Sequence, residues 1–250
     1  MLTTANSVDS VYDDLALRFT TIFFEDFGRA DAAECADRLV SMLKDEGPRS
    51  TNARAFLRES ELREAWNDVF DHHRSTRLAA QLAPYVTGPR VVDILAGNGT
   101  LTKAVADLVD ADVTAWEVPG SYDPPFAHPV KPLDELPEQA AKDGTVLIST
   151  VLHHEPDCVS LLDRCTRLGA ARWLVVENCL HDHVSRRTHE LIDDFFNGCL
   201  NEFDVPCSYE HRTVRGWIEI LSRFGRLTYY TDLGRIPGLP FPYELFVIDR

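Results

Sequence analysis

From residue 90 onward, short apolar runs alternate with segments of helical spacing, and this alternation constrains the fold more than any other feature of the chain. The runs fall near 91–95, 112–117, 145–150 and 172–177, with helical segments predicted near 100–109 and 158–168. Runs that are apolar on both faces belong in a parallel sheet covered by helices on both sides. A long helical stretch follows at 184–203, another near 213–224, and two late strands near 226–232 and 243–249. The segment PGLPFP at 237–242 cannot be a central strand, because proline gives the ladder no donor, so it is predicted to link the last two strands as a loop.

Residues 12 to about 84 carry helical spacing instead. Leu15, Phe19 and Ile22 recur at turn spacing, as do Cys35, Leu39 and Leu43, and then Ala65, Val69 and His72. Gly47-Pro48 breaks the region and Thr87-Gly88-Pro89 closes it. Two domains are therefore expected, a helical cap or lid over 1–84 and an α/β domain over 85–250. Tyr12, Phe19, Phe23 and Phe24 give the first helix an aromatic stripe, which reads either as core or as a lid or homodimer contact made by the N-terminal helices.

Charge narrows the ligand class. The chain holds 25 Lys and Arg against 40 Asp and Glu, a formal net charge of −15. Neutralising nucleic-acid phosphates requires clustered cations, and an anionic membrane surface repels such a chain, so neither is an expected partner. The six cysteines contain no C-x-x-C pair, which argues against a zinc ribbon or a disulfide framework and for reduced thiols in the cytoplasm. No apolar run approaches the roughly 20 residues of a membrane span. Small-molecule chemistry is what remains.

The stretch VVDILAGNG at 91–99, followed by Thr100-Leu101-Thr102, reads as a strand, a tight loop and a helix start. Gly97 and Gly99 let the backbone turn and leave bare main chain for a ligand, while Thr100 or Thr102 can cap the helix. Eighteen residues beyond Gly99 the next strand ends in Glu117, where an acid of a doubly wound fold accepts from ribose hydroxyls. The third glycine of the dinucleotide fingerprint is absent, so the loop suits a nucleoside without phosphates.

With these landmarks, VVDILAGNG resembles the first motif of class I S-adenosylmethionine-dependent methyltransferases of the small-molecule type. Asp93, Gly97 and Gly99 match that motif, and Leu95 stands where its first glycine is usual. Asp134-Glu135-Leu136-Pro137 resembles the family's stretch after the third strand, 146–154 its fourth strand with the LHH ending, and 172–177 its fifth strand. The resemblance implies a Rossmann-like three-layer α/β sandwich, with a seven-stranded, mostly parallel sheet whose last strand is antiparallel, and an N-terminal helical cap. It implies S-adenosylmethionine as cofactor, held by Asp93, Gly97, Asn98, Gly99 and the ribose acid Glu117, with Asp134 near the adenine and Thr150 at the end of the fourth strand. It also implies transfer of a methyl group to an O, N or C nucleophile of a small acceptor, in specialised metabolism. A relative that has lost methylation, acting as a lyase or cyclase or only binding, is the alternative.

Six of the nine histidines lie within 153–211. His153 and His154 follow the fourth strand, on the side where parallel sheets bind ligands, and are the candidates for general base or acceptor contact. Glu177 and Asn178 end the fifth strand beside them and are candidate substrate groups. Thr150 stands where a metal site would need an acid, and no metal is expected. The segment 206–213 resembles the loop before a helix that closes over substrate, which makes Tyr209, His211 and Arg212 candidate acceptor contacts. Asp71-His72-His73-Arg74 lies where related enzymes place a helix over the cofactor.

Overall fold

The computed structural model describes residues 8–121, 126–182, 184–201, 210–239 and 241–250. In chain order the elements are α1 (Val8–Phe19), α2 (Ala32–Glu46), α3 (Thr51–Glu59), α4 (Leu62–Asp68), α5 (Ser75–Leu82), β1 (Arg90–Ile94), α6 (Thr100–Ala106), β2 (Asp112–Glu117), β3 (Val130–Pro132), β4 (Thr145–Ser149), α7 (Cys158–Thr166), β5 (Arg172–Asn178), α8 (Arg186–Phe195), α9 (Val214–Leu221), β6 (Arg226–Gly234) and β7 (Tyr243–Asp249). Among the described residues, Ser50, Asp157, Ser185 and Thr213 cap α3, α7, α8 and α9, each accepting from the backbone N–H three residues on.

The seven strands form one sheet in the order β3-β2-β1-β4-β5-β7-β6. The first five run parallel, and only β7 is antiparallel to its neighbours, as expected for the last strand. One face buries Val92, Ile94, Val146, Ile148, Val175 and Phe246 against Leu161 and Leu162 of α7 and Trp217 and Leu221 of α9. α5 and α6 pack on each other. The segment 237–242 is a loop within the described residues, while β3, three residues ending in Pro132, escaped the alternation pattern. Its position at the sheet edge explains how a proline is tolerated there.

The chain divides into two compact units, and the division differs from a boundary at 84. One unit comprises the described residues of Met1–Phe70, Leu180–Cys207 and Arg235–Phe241; the other comprises those of Asp71–Cys179, Ser208–Gly234 and Pro242–Arg250. α5 goes with the sheet because its Leu78, Ala79 and Leu82 are buried there beside α6. α8 goes with the helical unit because its aromatic end completes that core.

Within the helical unit, Phe19 and Phe24 are fully buried, so these members of the aromatic stripe are core. The Phe19 ring lies 4.8 Å from that of Phe195 at 43°. Phe196 meets Trp66 edge-on at 4.5 Å, and Trp66 Nε1 donates to Asn201 Oδ1. Phe19→Ala should cost about 3–5 kcal/mol of unfolding free energy in urea while leaving the oligomeric state of the wild type. A ring that served only a subunit contact would give the reverse pair of results.

Candidate functional site

β1 ends in a loop whose backbone leaves ordinary territory three times. Leu95, Gly97 and Gly99 have φ of +56°, +61° and +78°. The glycines take this region at little cost. A Cβ on Gly99 would lie 3.0 Å from His128 Cβ, so side-chain bulk is excluded there as well. Leu95 is different, because a γ-branched residue in the left-handed region is strained. Its half-buried side chain packs against the sheet core, which helps to hold the strained geometry. Leu95→Gly removes about 1–2 kcal/mol of strain and forfeits about as much apolar burial, so stability should move by less than ~1 kcal/mol. Truncating an unstrained core leucine costs about 2–5 kcal/mol, and urea unfolding distinguishes the two.

Glu117, at the end of β2, holds the loop. Its Oε2 accepts from Gly97 N–H and its Oε1 from Val118 N–H, both at 2.7 Å. Burial pushes its carboxyl above the usual range, against the pull of these two donors. Asn98 Oδ1 accepts from the Thr100 N–H and hydroxyl, which starts α6, and Asn98 Nδ2 donates to Asp71 Oδ1 at 3.1 Å. Beneath the loop Asp93 is 2% exposed and accepts from the Thr102 hydroxyl at 2.6 Å. Burial, reinforced by the nearby Glu117 charge, pushes Asp93 up to about 7, with the Thr102 bond and the Arg74 charge opposing. Thr102 is thus an anchor of the loop. Asp134 is exposed, two residues beyond the strand partner of Glu117.

Beyond β4 the chain makes a short 3-10 turn, Leu152–His154. His153 is 1% exposed and its Nδ1 donates to Glu177 Oε2 at 2.6 Å, while Glu177 Oε1 accepts from Leu152 N–H at 2.8 Å. Glu177 itself is fully buried. It therefore braces His153, where the sequence suggested a group facing substrate. The His211 ring stacks on His153 at 4.9 Å, and half-buried His154 lies at 4.0 Å. Arg212 pairs with Glu210 at 2.6 Å and lies over the Trp217 ring. Tyr209 lies outside the described residues.

Asn178 is 8% exposed at the end of β5, and Thr150, at the end of β4, has φ of +55°. Thr150 Oγ1 donates to Ser149 O and accepts from Arg74 NH2 at 2.6 Å. Arg74 is 6% exposed, and its Nε donates to the Tyr243 hydroxyl at 3.0 Å. Ser149, Tyr243 and this role of Arg74 were not foreseen. Their only sequence signals were a cation upstream of β1 and a tyrosine opening β7. The loop after β1, Glu117, Asp134, Thr150, His153, His154 and Asn178 thus gather at the carboxyl ends of the parallel strands. The five described cysteines are buried thiols. Among the described residues no helix is long and apolar enough to cross a membrane.

No family model and no curated protein matches the chain. Solved structures do. The chain is similar to mitomycin 7-O-methyltransferase MmcR at 19% identity and a TM-score of 0.51, over 98% of this chain and 76% of that one. It is similar to a Burkholderia thailandensis 1,6-didemethyltoxoflavin-N1-methyltransferase, whose structure holds 1,6-didemethyltoxoflavin and S-adenosylhomocysteine, at 18% identity and a TM-score of 0.52, over 79% and 86%. An O-methyltransferase family protein from Burkholderia thailandensis matches at 15% identity and a TM-score of 0.50, over 89% and 73%. With its sheet order and its single reversed last strand, the chain has the Rossmann-like fold of the class I methyltransferases.

Proposed function

We propose that the protein is an S-adenosylmethionine-dependent methyltransferase that alkylates an O, N or C nucleophile of a small molecule, in specialised metabolism. One observation carries this reading: the buried Glu117 carboxylate and the glycine loop it holds stand together at the ends of β2 and β1, in the fold of small-molecule methyltransferases. The donor set fits the cofactor. Gly97 and Gly99 bring main chain with no side chain of their own into the loop, Glu117 keeps acceptor capacity on both oxygens for ribose hydroxyls, and exposed Asp134 stands at the adenine end. When bound, the cofactor supplies an electrophilic methyl group on a sulfonium.

Holding the acceptor atom in line at near-attack distance supplies much of the rate, so few residues are obligatory. Glu177 fixes His153 as an Nδ1–H donor, and the adjacent His154, half-buried, takes the acceptor proton where the nucleophile carries one. His211 and Arg212 border this proton path and contact the acceptor. A second reading, a methyltransferase-like protein that performs lyase or cyclase chemistry or only binds, is favoured by one observation, the strained Leu95 in place of a glycine. Calorimetry with S-adenosylmethionine and S-adenosylhomocysteine, coupled to mass spectrometry of candidate phenols and amines, separates them. Binding with a methylated product supports the proposal; binding without product under all acceptors favours the second reading; binding of neither nucleoside refutes the cofactor assignment.

A further inference from the structure

We infer that Asp71, which lies between α4 and α5, is a positioning residue for the glycine loop after β1: by holding the Asn98 amide it fixes the Gly97–Gly99 main chain that receives the nucleoside. The inference rests on the methyl-transfer reading only for the identity of that nucleoside.

The start of α6 creates the need. Its N-cap is Gly99, with φ of +78° and no side chain to accept from the first turn of the helix. Asn98 fills the gap from one residue upstream: its Oδ1 accepts from Thr100 N–H at 3.1 Å and from the Thr100 hydroxyl at 2.7 Å. The peptide oxygen of the same residue accepts from Ala127 N–H at 2.9 Å, which ties the loop to the segment before β3. The orientation of the Asn98 amide therefore decides whether α6 is capped and how the loop is held.

An amide does not orient itself. Its oxygen and nitrogen ends have nearly the same shape, and a flip about the last torsion presents two donors to Thr100 N–H in place of an acceptor. Asp71 removes that freedom. Its Oδ1 accepts from Asn98 Nδ2 at 3.1 Å, across 27 residues of chain, and an ionised carboxylate, having no donor, admits only the NH2 end of the amide. The Asn98 oxygen is left facing Thr100. A bond to an ionised acceptor is stronger than a neutral one, and both residues are half-buried, which limits competition from water. Glu117 holds Gly97 N–H from β2, so two carboxylates from separate segments clamp successive residues of the loop.

Four variants test this: Asp71→Ala, Asp71→Asn, Asn98→Asp, and the exchange that combines Asp71→Asn with Asn98→Asp. Each is read by calorimetry with S-adenosylhomocysteine and by amide hydrogen exchange of the ligand-free protein at Thr100, with Val175 in β5 as the control. Asp71→Ala should weaken the nucleoside by about tenfold or more and speed exchange at Thr100, while Val175 stays unchanged. Asp71→Asn keeps an acceptor for Asn98 Nδ2 and should remain within about threefold of the wild type. Asn98→Asp alone sets two carboxylates against each other and should also lose about tenfold or more. In the exchange, the amide at 71 donates to the carboxylate at 98, and binding should return to within about threefold of the wild type, a rescue that a purely structural Asp71 would not give. Wild-type binding or wild-type Thr100 exchange in Asp71→Ala overturns the inference, as does an exchange variant no better than Asn98→Asp alone in a protein whose Val175 amide is as protected as before. If the wild type binds no S-adenosylhomocysteine, the methyl-transfer reading falls, and Thr100 exchange across the same variants still decides the role of Asp71.

Discussion

Replacing Glu117 with alanine is expected to weaken S-adenosylhomocysteine binding by roughly a hundredfold or more, because hydrogen bonds to a charged acceptor are worth about 1.5–3 kcal/mol each. The same change removes the acceptor of Gly97 N–H and Val118 N–H, which leaves the loop without its brace at a cost of about 1–3 kcal/mol per buried donor. Glu117→Gln keeps one acceptor oxygen and brings a donor that opposes Gly97 N–H or Val118 N–H, so it should fall between the wild type and alanine. Calorimetry and urea unfolding on the same preparations separate the two effects. A Glu117→Ala protein that binds the nucleoside with wild-type affinity would show that the ribose lies elsewhere.

Asp93→Asn carries the second large effect, and it depends on pH. Burial raises the folded carboxyl from 3.8 to about 7, so the folded protein binds this proton more tightly than the unfolded chain. Stability from this group is whole below about pH 3.8 and is lost as the pH rises to about 7. A shift of this size corresponds to about 4 kcal/mol at 1.36 kcal/mol per unit. Asparagine cannot ionise, and its oxygen can still accept from the Thr102 hydroxyl. The variant should therefore be more stable than the wild type by several kcal/mol, up to ~4, at pH 8, with the difference shrinking toward pH 4. A difference that is flat with pH in denaturant titrations would contradict a neutral buried Asp93.

Much of this architecture is readable in the chain because local and global preferences agree there. β1, β2, β4 and β5 are apolar runs that end up buried on both faces, and Gly97 and Gly99 sit where the backbone requires positive φ. What escapes the pattern is what departs from such agreement. β3 is too short to carry a period and contains a proline. A leucine and a threonine adopt left-handed geometry that nothing in their local sequence announces. Glu177 ends a strand like a ligand-facing acid, but it turns toward His153, a contact made across 24 residues. Arg74 finds Thr150 and Tyr243 over separations of 76 and 169 residues, which no local pattern encodes. Phe19 and Phe24 read from sequence either as core or as a contact stripe, and the choice is made by α8, which supplies the ring that covers Phe19.

The most direct test is a crystal structure of the protein with S-adenosylhomocysteine. The predicted result is a nucleoside lying against the Gly97–Gly99 main chain, with its ribose hydroxyls donating to Glu117. A nucleoside bound away from that loop, or a loop left empty at saturating ligand while Glu117 holds only Gly97 and Val118, would contradict it.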